Sequence, residues 1–249
     1  MARYDFHSPR LYVMVTLAPG AVVTLDQPQA HYLRNVLRLK PDDQVLVFNG
    51  QDGEWRATLS AASRRAMMLS VHERTRAQTA ALDLHYLFAP LKHERLDYMV
   101  QKAIELGVSR LQPVLTRHVQ VTRVNLARMR ANVIEAAEQC GILTLAEITA
   151  PLTFDQMIAS RDPGRFLVFC DEDAEVKDPM AALAARRANG AQPLAVLVGP
   201  EGGFAEEERA ALMRLPNVVR LALGPRILRA DTAAVAALAL VQAVLGDWR

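Results

Sequence analysis

The sequence predicts an α/β chain, with a parallel sheet covered by helices on both faces and a small N-terminal β-barrel ahead of it. Three observations lead there. From residue 82 onward, apolar strand-like runs alternate with helical patterns, which implies parallel pairing through crossover helices. Two of these runs, ending at Val198 and Leu223, break abruptly into Gly, Pro and charge before a helix begins. Buried parallel strands end this way in ligand-binding loops. Before residue 75 the runs are short and separated by turn signals, as in a small all-β unit.

The elements follow in order. Leu11–Val15 and Ala21–Leu25 are β-rich runs around a Pro19-Gly20 turn. A short helix is expected near Gln29–Leu39. Val45–Phe48 and Trp55–Leu59 flank Asn49-Gly50 and Asp52-Gly53, both strong turn pairs. Arg74–Thr79 reads as a linker, giving domains at 1–75 and 76–249. Leu82–Phe88 is a strand, and residues 94–106 a helix with Leu96, Met99, Val100, Ala103 and Ile104 on its apolar face and Gly107 as C-cap. Leu111–Leu115, Phe166–Cys170, Ala195–Val198 and Val218–Leu223 are further strands. Leu126–Gln139, Met180–Ala188, Glu206–Leu215 and Thr232–Leu245 are helices. The last is rich in Ala, Val and Leu on every side, so it is expected to be buried all round, between two subunits.

Composition narrows the function. The 249 residues are 51% hydrophobic and 22% charged, enough for a proper core. Cys140 and Cys170 are too few for a disulfide framework and lack metal-ligand spacing, so a cytoplasmic, reduced protein is expected. The first residues carry no apolar leader, and no run reaches the roughly 18 apolar residues of a membrane helix. Residues 1–76 hold ten Lys/Arg against seven Asp/Glu, a net of +3. Val108–Ile134 contains Arg110, Arg117, Arg123, Arg128 and Arg130 with no acid. Basic stretches in a balanced chain point to a polyanion, against the plainer reading of a solvated helix face.

The two glycine-containing loops carry the chemistry. Gly199-Pro200-Glu201-Gly202-Gly203 lacks the Lys-Ser/Thr of a phosphate loop and the glycine spacing of a dinucleotide fingerprint. Its glycines suit close backbone approach to a ligand. The acids Glu206, Glu207 and Glu208 fit the first turn of a helix better than a metal site, and no metal is expected. In Gly224-Pro225-Arg226-Ile227-Leu228-Arg229 an apolar pair sits between two arginines, which suits a pocket for a planar aromatic group. Arg229 stands beside Asp231 and Thr232, and an Arg229–Asp231 pair is the plain alternative to a functional role.

The chain resembles the bacterial small-subunit ribosomal RNA uridine-N3 methyltransferases (ribosomal RNA small subunit methyltransferase E), of the SPOUT superfamily. The resemblance rests on His31–Arg38, Lys92-His93-Glu94-Arg95-Leu96, Gln101–Gly107, Glu135–Gly141, the Gly199 loop and Leu223–Thr232, and spans nearly the whole chain. It implies a PUA-like RNA-binding barrel and a methyltransferase domain with a deep trefoil knot. It also implies S-adenosyl-L-methionine as cofactor, 16S ribosomal RNA within the small subunit as substrate, and a homodimer formed through the knotted domain. Leu197, Gly199, Pro200, Gly203, Leu223, Gly224, Ile227, Leu228 and Thr232 are then expected around the cofactor. The family usually has Arg and Pro where Ile142 and Ala146 stand here, and Glu in place of Asp231.

On that basis, methylation of N3 needs a base or a cation that stabilises the uracil anion. Arg229 is the candidate cation, and Glu201 the candidate base or the residue that orients Arg229. Lys102 and Glu105, one helical turn apart, either serve the site or form a surface ion pair. For RNA, Arg34 and Arg38 one turn apart, His31 before them, and Arg3 and Arg10 form the expected phosphate-contacting patch. N3 is engaged in a base pair, so an unpaired or flipped base is implied. The rival readings are a knotted methyltransferase with a different target, a non-catalytic RNA-binding assembly factor and a small-molecule nucleotide-binding enzyme.

Overall fold

The structure, a computed structural model, describes residues 5, 7–61, 67–175, 178–187 and 192–248. The chain separates into two compact units, residues 1–80 with 134–145, and residues 81–133 with 146–249. The boundary expected after residue 75 falls inside a strand, and residues 134–145, expected in the second domain, group with the first.

The first unit contains β1 (Arg10–Tyr12), β2 (Val22–Thr24), β3 (Gln44–Phe48), β4 (Glu54–Ala61) and β5 (Met67–Arg76), in the sheet order β1-β3-β4-β5-β2. β1 pairs parallel with β3, and the other pairings are antiparallel. The β3–β4 turn forms because the Asn49 side-chain oxygen accepts the Gln51 and Asp52 N–H groups at 3.0 and 2.8 Å. Gly50 and Gly53 take φ +85° and +86° there, a region that suits glycine. Val45, Val47, Ala57, Leu59, Leu69 and Val71 alternate into one buried core. Phe48 packs instead with Ala137 and Leu143 in a separate cluster. Arg74-Thr75-Arg76, expected as linker, is strand: Arg74 and Arg76 pair with Trp55 and Glu54.

The helix expected at 29–39 is shorter and mixed. α1 (Gln27–His31) starts with a capping box, in which Asp26 accepts the Gln29 N–H at 2.8 Å and the Gln29 side chain accepts the Asp26 N–H at 3.1 Å. It then loosens into a π-helical turn, Tyr32–Val36.

The second unit contains β6 (Leu84–Phe88), α2 (His93–Glu105), β7 (Arg110–Leu115), α3 (Leu126–Cys140, its last turns grouping with the first unit), β8 (Glu147–Ile148), β9 (Leu152–Thr153), α4 (Phe154–Ser160), β10 (Phe166–Cys170), α5 (Pro179–Ala184), β11 (Leu194–Val198), α6 (Glu206–Met213), β12 (Val218–Leu221) and α7 (Ala230–Val244). The sheet order is β12-β10-β11-β6-β7-β8, with β9 also paired to β7, and every pairing is parallel. β10 and β11 are buried at every position, as strands covered on both faces must be. Phe169 and Leu197 pack with Phe154, Met157, Phe204 and Leu212. Tyr86 is fully buried and donates its hydroxyl to Met99 Sδ on α2.

Strand β11 enters the sheet between β10 and β6, so the chain reverses its direction of travel across the sheet there. Ligands of open α/β sheets bind beyond the strand C-termini at such a point. Within the single chain α7, expected to be buried between two subunits, buries one face. Ala233, Ala234, Ala237, Leu238 and Val241 are buried, whereas Val235, Ala236, Ala239 and Leu240 are half-buried. Gln242 ties α7 to the end of α2 by donating to the Leu106 carbonyl and accepting from the Asp247 N–H.

Candidate functional site

A cleft of about 810 Å³ opens at the C-terminal ends of β10, β11 and β12, whose last residues Cys170, Val198 and Leu221 lie on its lining. Three loops wall it: Asp171–Glu175 after β10, Gly199–Phe204 after β11 and Ala222–Leu228 after β12. The β11 loop is pinned at its far end by Phe204, whose ring meets that of Phe169 edge-on at 4.9 Å. Gly203 turns at φ +70°, and a Cβ there would sit 2.5 Å from Glu172 Oε1. A Cβ on Gly199 would meet the Phe204 ring at 2.7 Å. Gly203 is favoured by its conformation, since the Glu172 carboxylate is a flexible side-chain end that can shift, whereas Gly199 is required by contact with the packed Phe204 ring.

The electrostatics are set by ion pairs. Asp171 is buried and accepts from Arg209 Nε at 2.9 Å and Arg220 Nε at 2.7 Å. Burial, with Asp171 beside it, pushes the Cys170 thiol up to about 12, so the thiol itself stays neutral. Asp171, Glu172 and Asp173 bring carboxylate oxygens within 4.8 Å of one another, but two guanidinium groups already bind Asp171. Glu208, one of the first-turn acids, is buried and accepts the Ala205 N–H at 3.0 Å and the Arg117 N–H at 2.8 Å. It fixes the β11–α6 loop against the loop after β7.

Seven of the residues expected around a cofactor line this cleft: Gly199, Pro200, Gly203, Leu223, Gly224, Ile227 and Leu228. Leu197 does not, being fully buried among Phe169 and Phe204 one residue short of the strand end. Thr232 is exposed, and α7 contributes Ala230 and Ala233 to the lining instead. Sequence reasoning missed the β10 loop, although Phe166–Cys170 breaks into Asp171-Glu172-Asp173 as abruptly as the strands before the other two loops.

Glu201 lines the cleft, yet its partner is Arg95 at 3.5 Å rather than Arg229. Arg229 is the exposed N-cap residue of α7, outside the lining, and the Arg229–Asp231 pair is not made; Asp231 accepts the Thr232 N–H at 3.0 Å. Lys102 and Glu105 pair with each other on α2 at 2.7 Å, and neither lines the cleft.

Arg10, expected to face RNA, is buried against Glu54 at 2.8 Å, because the pairing of β1 with β3 carries it inward. His31 and Arg34 are exposed; His31 contacts Asn35 at 2.8 Å. Arg38 is exposed at φ +58°, beyond the π-helical turn, so it does not share a helical face with Arg34. Arg3 lies outside the described residues. Within the basic run, Arg110 pairs with Glu147 and Arg128 with Asp97, whereas Arg117, Arg123 and Arg130 are exposed.

Comparison with known proteins supplies the family. Residues 78–242 match an RNA methyltransferase domain, and residues 25–67 an RNA methyltransferase PUA domain. The ribosomal RNA small subunit methyltransferase E of Rickettsia conorii is 30% identical over 234 residues, 94% of this chain and 94% of that protein. The protein of that name from Synechocystis is 32% identical, over 95% of this chain and 78% of its own. The crystal structure of a ribosomal RNA small subunit methyltransferase E from Neisseria gonorrhoeae, bound to S-adenosyl methionine, superposes with a TM-score of 0.85 at 27% identity, covering 98% of this chain and 100% of that one. A putative methyltransferase from Legionella pneumophila in complex with the same molecule gives 0.83 at 27% identity, covering 97% and 99%. With an RNA methyltransferase domain over most of its length and such relatives end to end, the chain belongs to the ribosomal RNA small subunit methyltransferase E family.

Proposed function

We propose that this chain methylates N3 of a uridine in 16S ribosomal RNA of the small ribosomal subunit, using S-adenosylmethionine. The observation that carries the reading is the cleft at the ends of β10, β11 and β12, whose walls fit that cofactor. Ile227, 90% exposed at the cleft, and Leu228 offer apolar surface that a planar adenine would cover. Glu172 and Glu175 put negative charge on the lining, which suits a cationic ligand. The glycine-shaped backbone of Gly199–Gly203 and Leu223–Gly224 allows close approach.

Bound there, S-adenosylmethionine would supply a sulfonium methyl group, whose carbon N3 would attack while the S–C electron pair leaves with sulfur. Glu201, at the edge of the cleft, takes the N3 proton. Arg229 offsets the charge left on the uracil oxygens. An exposed arginine at a helix N-terminus works against the helix dipole, and Arg229 has no ion pair among the described residues, which supports a functional reason for its presence. The homodimer of this reading draws support from the half-buried apolar positions Val235, Ala236, Ala239 and Leu240 on α7. The trefoil knot and a closed N-terminal barrel belong to the same proposal, as does a cytoplasmic location; no helix among the described residues is long and apolar enough to cross a membrane.

Ile142 favours a second reading, the assembly factor without turnover, because it replaces an expected arginine and packs half-buried beside Phe48, Ala137 and Leu143. Transfer from radiolabelled S-adenosylmethionine to small subunits lacking the modification, followed by nucleoside mass spectrometry, separates the two. Appearance of 3-methyluridine is the expected result. Cofactor binding with no methylated nucleoside would favour the assembly factor or a different RNA target.

A further inference from the structure

Beside the cleft lies a second recess of about 520 Å³, lined by Lys92, Glu94, Arg95, Gln120 and Glu201. It is built on the same C-terminal edge of the sheet: Lys92–Arg95 follow β6, Gln120 follows β7 and Glu201 follows β11. Its volume falls in the range that ligand sites occupy. Glu201 lines both cavities, so they meet at that carboxylate.

Every lining residue carries a polar or charged group at its tip, and these groups are loosely committed. Arg95 and Glu201 are 3.5 Å apart with side chains 40% exposed each, a pair that contributes little to stability and can exchange for a ligand. Lys92 makes no ion pair, and the Gln120 amide no hydrogen bond, among the described residues. The loop carrying Gln120 also carries Arg117 and Arg123, both exposed and without an ion pair among the described residues. A recess that carries Lys92, Arg95 and the Gln120 amide, and shares Glu201 with the first cleft, matches a nucleotide better than an apolar ligand.

We propose that this recess is the target-nucleotide subsite, a placement that rests on the uridine-N3 reading above. Lys92 and Arg95 take the flanking phosphates. As Arg95 turns to phosphate it leaves Glu201, whose carboxylate then faces N3–H. The proton passes to Glu201, the N–H electron pair stays on the ring and spreads to the carbonyl oxygens, and that pair forms the bond to the methyl carbon. The Gln120 side-chain N–H donates to one uracil carbonyl oxygen, where the negative charge collects.

The test uses the full chain and small ribosomal subunits lacking the modification. Binding is measured across a salt series with S-adenosylhomocysteine present, cofactor affinity by calorimetry, and kcat with KM by labelled methyl transfer. Lys92→Ala and Arg95→Ala should each lower the slope of log affinity against log salt by about 0.7, the single-strand value for one phosphate contact. They should raise KM and leave cofactor affinity unchanged. Gln120→Leu should lower kcat by about 100-fold, the cost of one oxyanion donor, with subunit binding kept. Unchanged salt slopes in both charge variants, or a parallel loss of cofactor affinity, would overturn the subsite. If the wild-type enzyme methylates a nucleoside other than uridine, the uridine reading and the Gln120 role fall, while the salt slopes still decide whether the recess holds the nucleotide.

Discussion

Arg10 Nε donates to Glu54 Oε2 at 2.8 Å, with the two side chains 3% and 2% exposed. Glu54 also accepts from the Thr75 hydroxyl at 2.9 Å and lies 3.4 Å from Arg76, so one carboxylate joins β1, β4 and β5. Removing Arg10 takes away the nearer of the two cations that neutralise this buried carboxylate, leaving Arg76 at 3.4 Å. Arg10→Ala should destabilise the protein by about 3 kcal/mol, read by urea denaturation. The salt dependence of subunit binding should not change. A stable variant with a shallower salt slope would return Arg10 to the RNA-contacting patch.

Two glycines of the cleft separate contact from conformation. Gly203 (φ +70°) faces Glu172, whereas a Cβ added at Gly224 (φ +107°) would meet nothing within 4 Å. Gly224→Ala should therefore carry only a backbone cost, of about 1–3 kcal/mol. Gly203→Ala bears the same kind of cost and displaces Glu172 as well, so calorimetry should show the larger loss of S-adenosylmethionine affinity there. Equal affinities in Gly203→Ala and wild type would remove the β11 loop from the cofactor site.

The Glu138 carboxyl is pushed from 4.5 up to about 7, chiefly by burial and further by Glu135, with the Tyr12 N–H at 2.8 Å pulling the other way. The folded chain thus favours the neutral acid. Its contribution to stability is complete below pH 4.5, where the unfolded chain also holds the proton, and is lost as the pH rises through 7. Glu138→Gln keeps an acceptor for Tyr12 and cannot ionise. It should exceed the wild type by up to about 2 kcal/mol at about pH 8 and match it at about pH 4. A pH-independent difference between the two proteins would contradict a neutral Glu138.

Arg229 stands at the N-terminus of α7, where a cation opposes the helix dipole. Arg229→Ala should raise stability by about 0.5 kcal/mol and lower kcat by about 100-fold if the guanidinium stabilises the uracil anion. Thermal unfolding and single-turnover methyl transfer measure the two effects. The same kinetic loss in Arg226→Ala, with Arg229→Ala fully active, would move the role to the arginine that lines the cleft.

The β11 and β12 loops were legible because their signal is local: an apolar run must stop where glycine and charge begin. Local patterning also marks the Asn49-Gly50 turn and the apolar face of α2. It fails where the partner decides. Arg74–Arg76 reads as linker because its charges hide a strand, which pairing with Glu54 and Trp55 reveals. Arg38 reads as the next turn of a helix, but the chain leaves the helix through a π-helical turn first.

By itself the sequence determined the alternation of strands and helices, the two loops that wall the cleft and the resemblance that names the family, since each depends on residues adjacent in the chain. Tertiary structure alone decided that Arg10 is buried against Glu54, that Glu201 pairs with Arg95, and that Asp171 is buried beneath Arg209 and Arg220. Those outcomes depend on which groups, about 40 to 100 residues apart, are brought within hydrogen-bonding distance, and on which charges lose their water as a result.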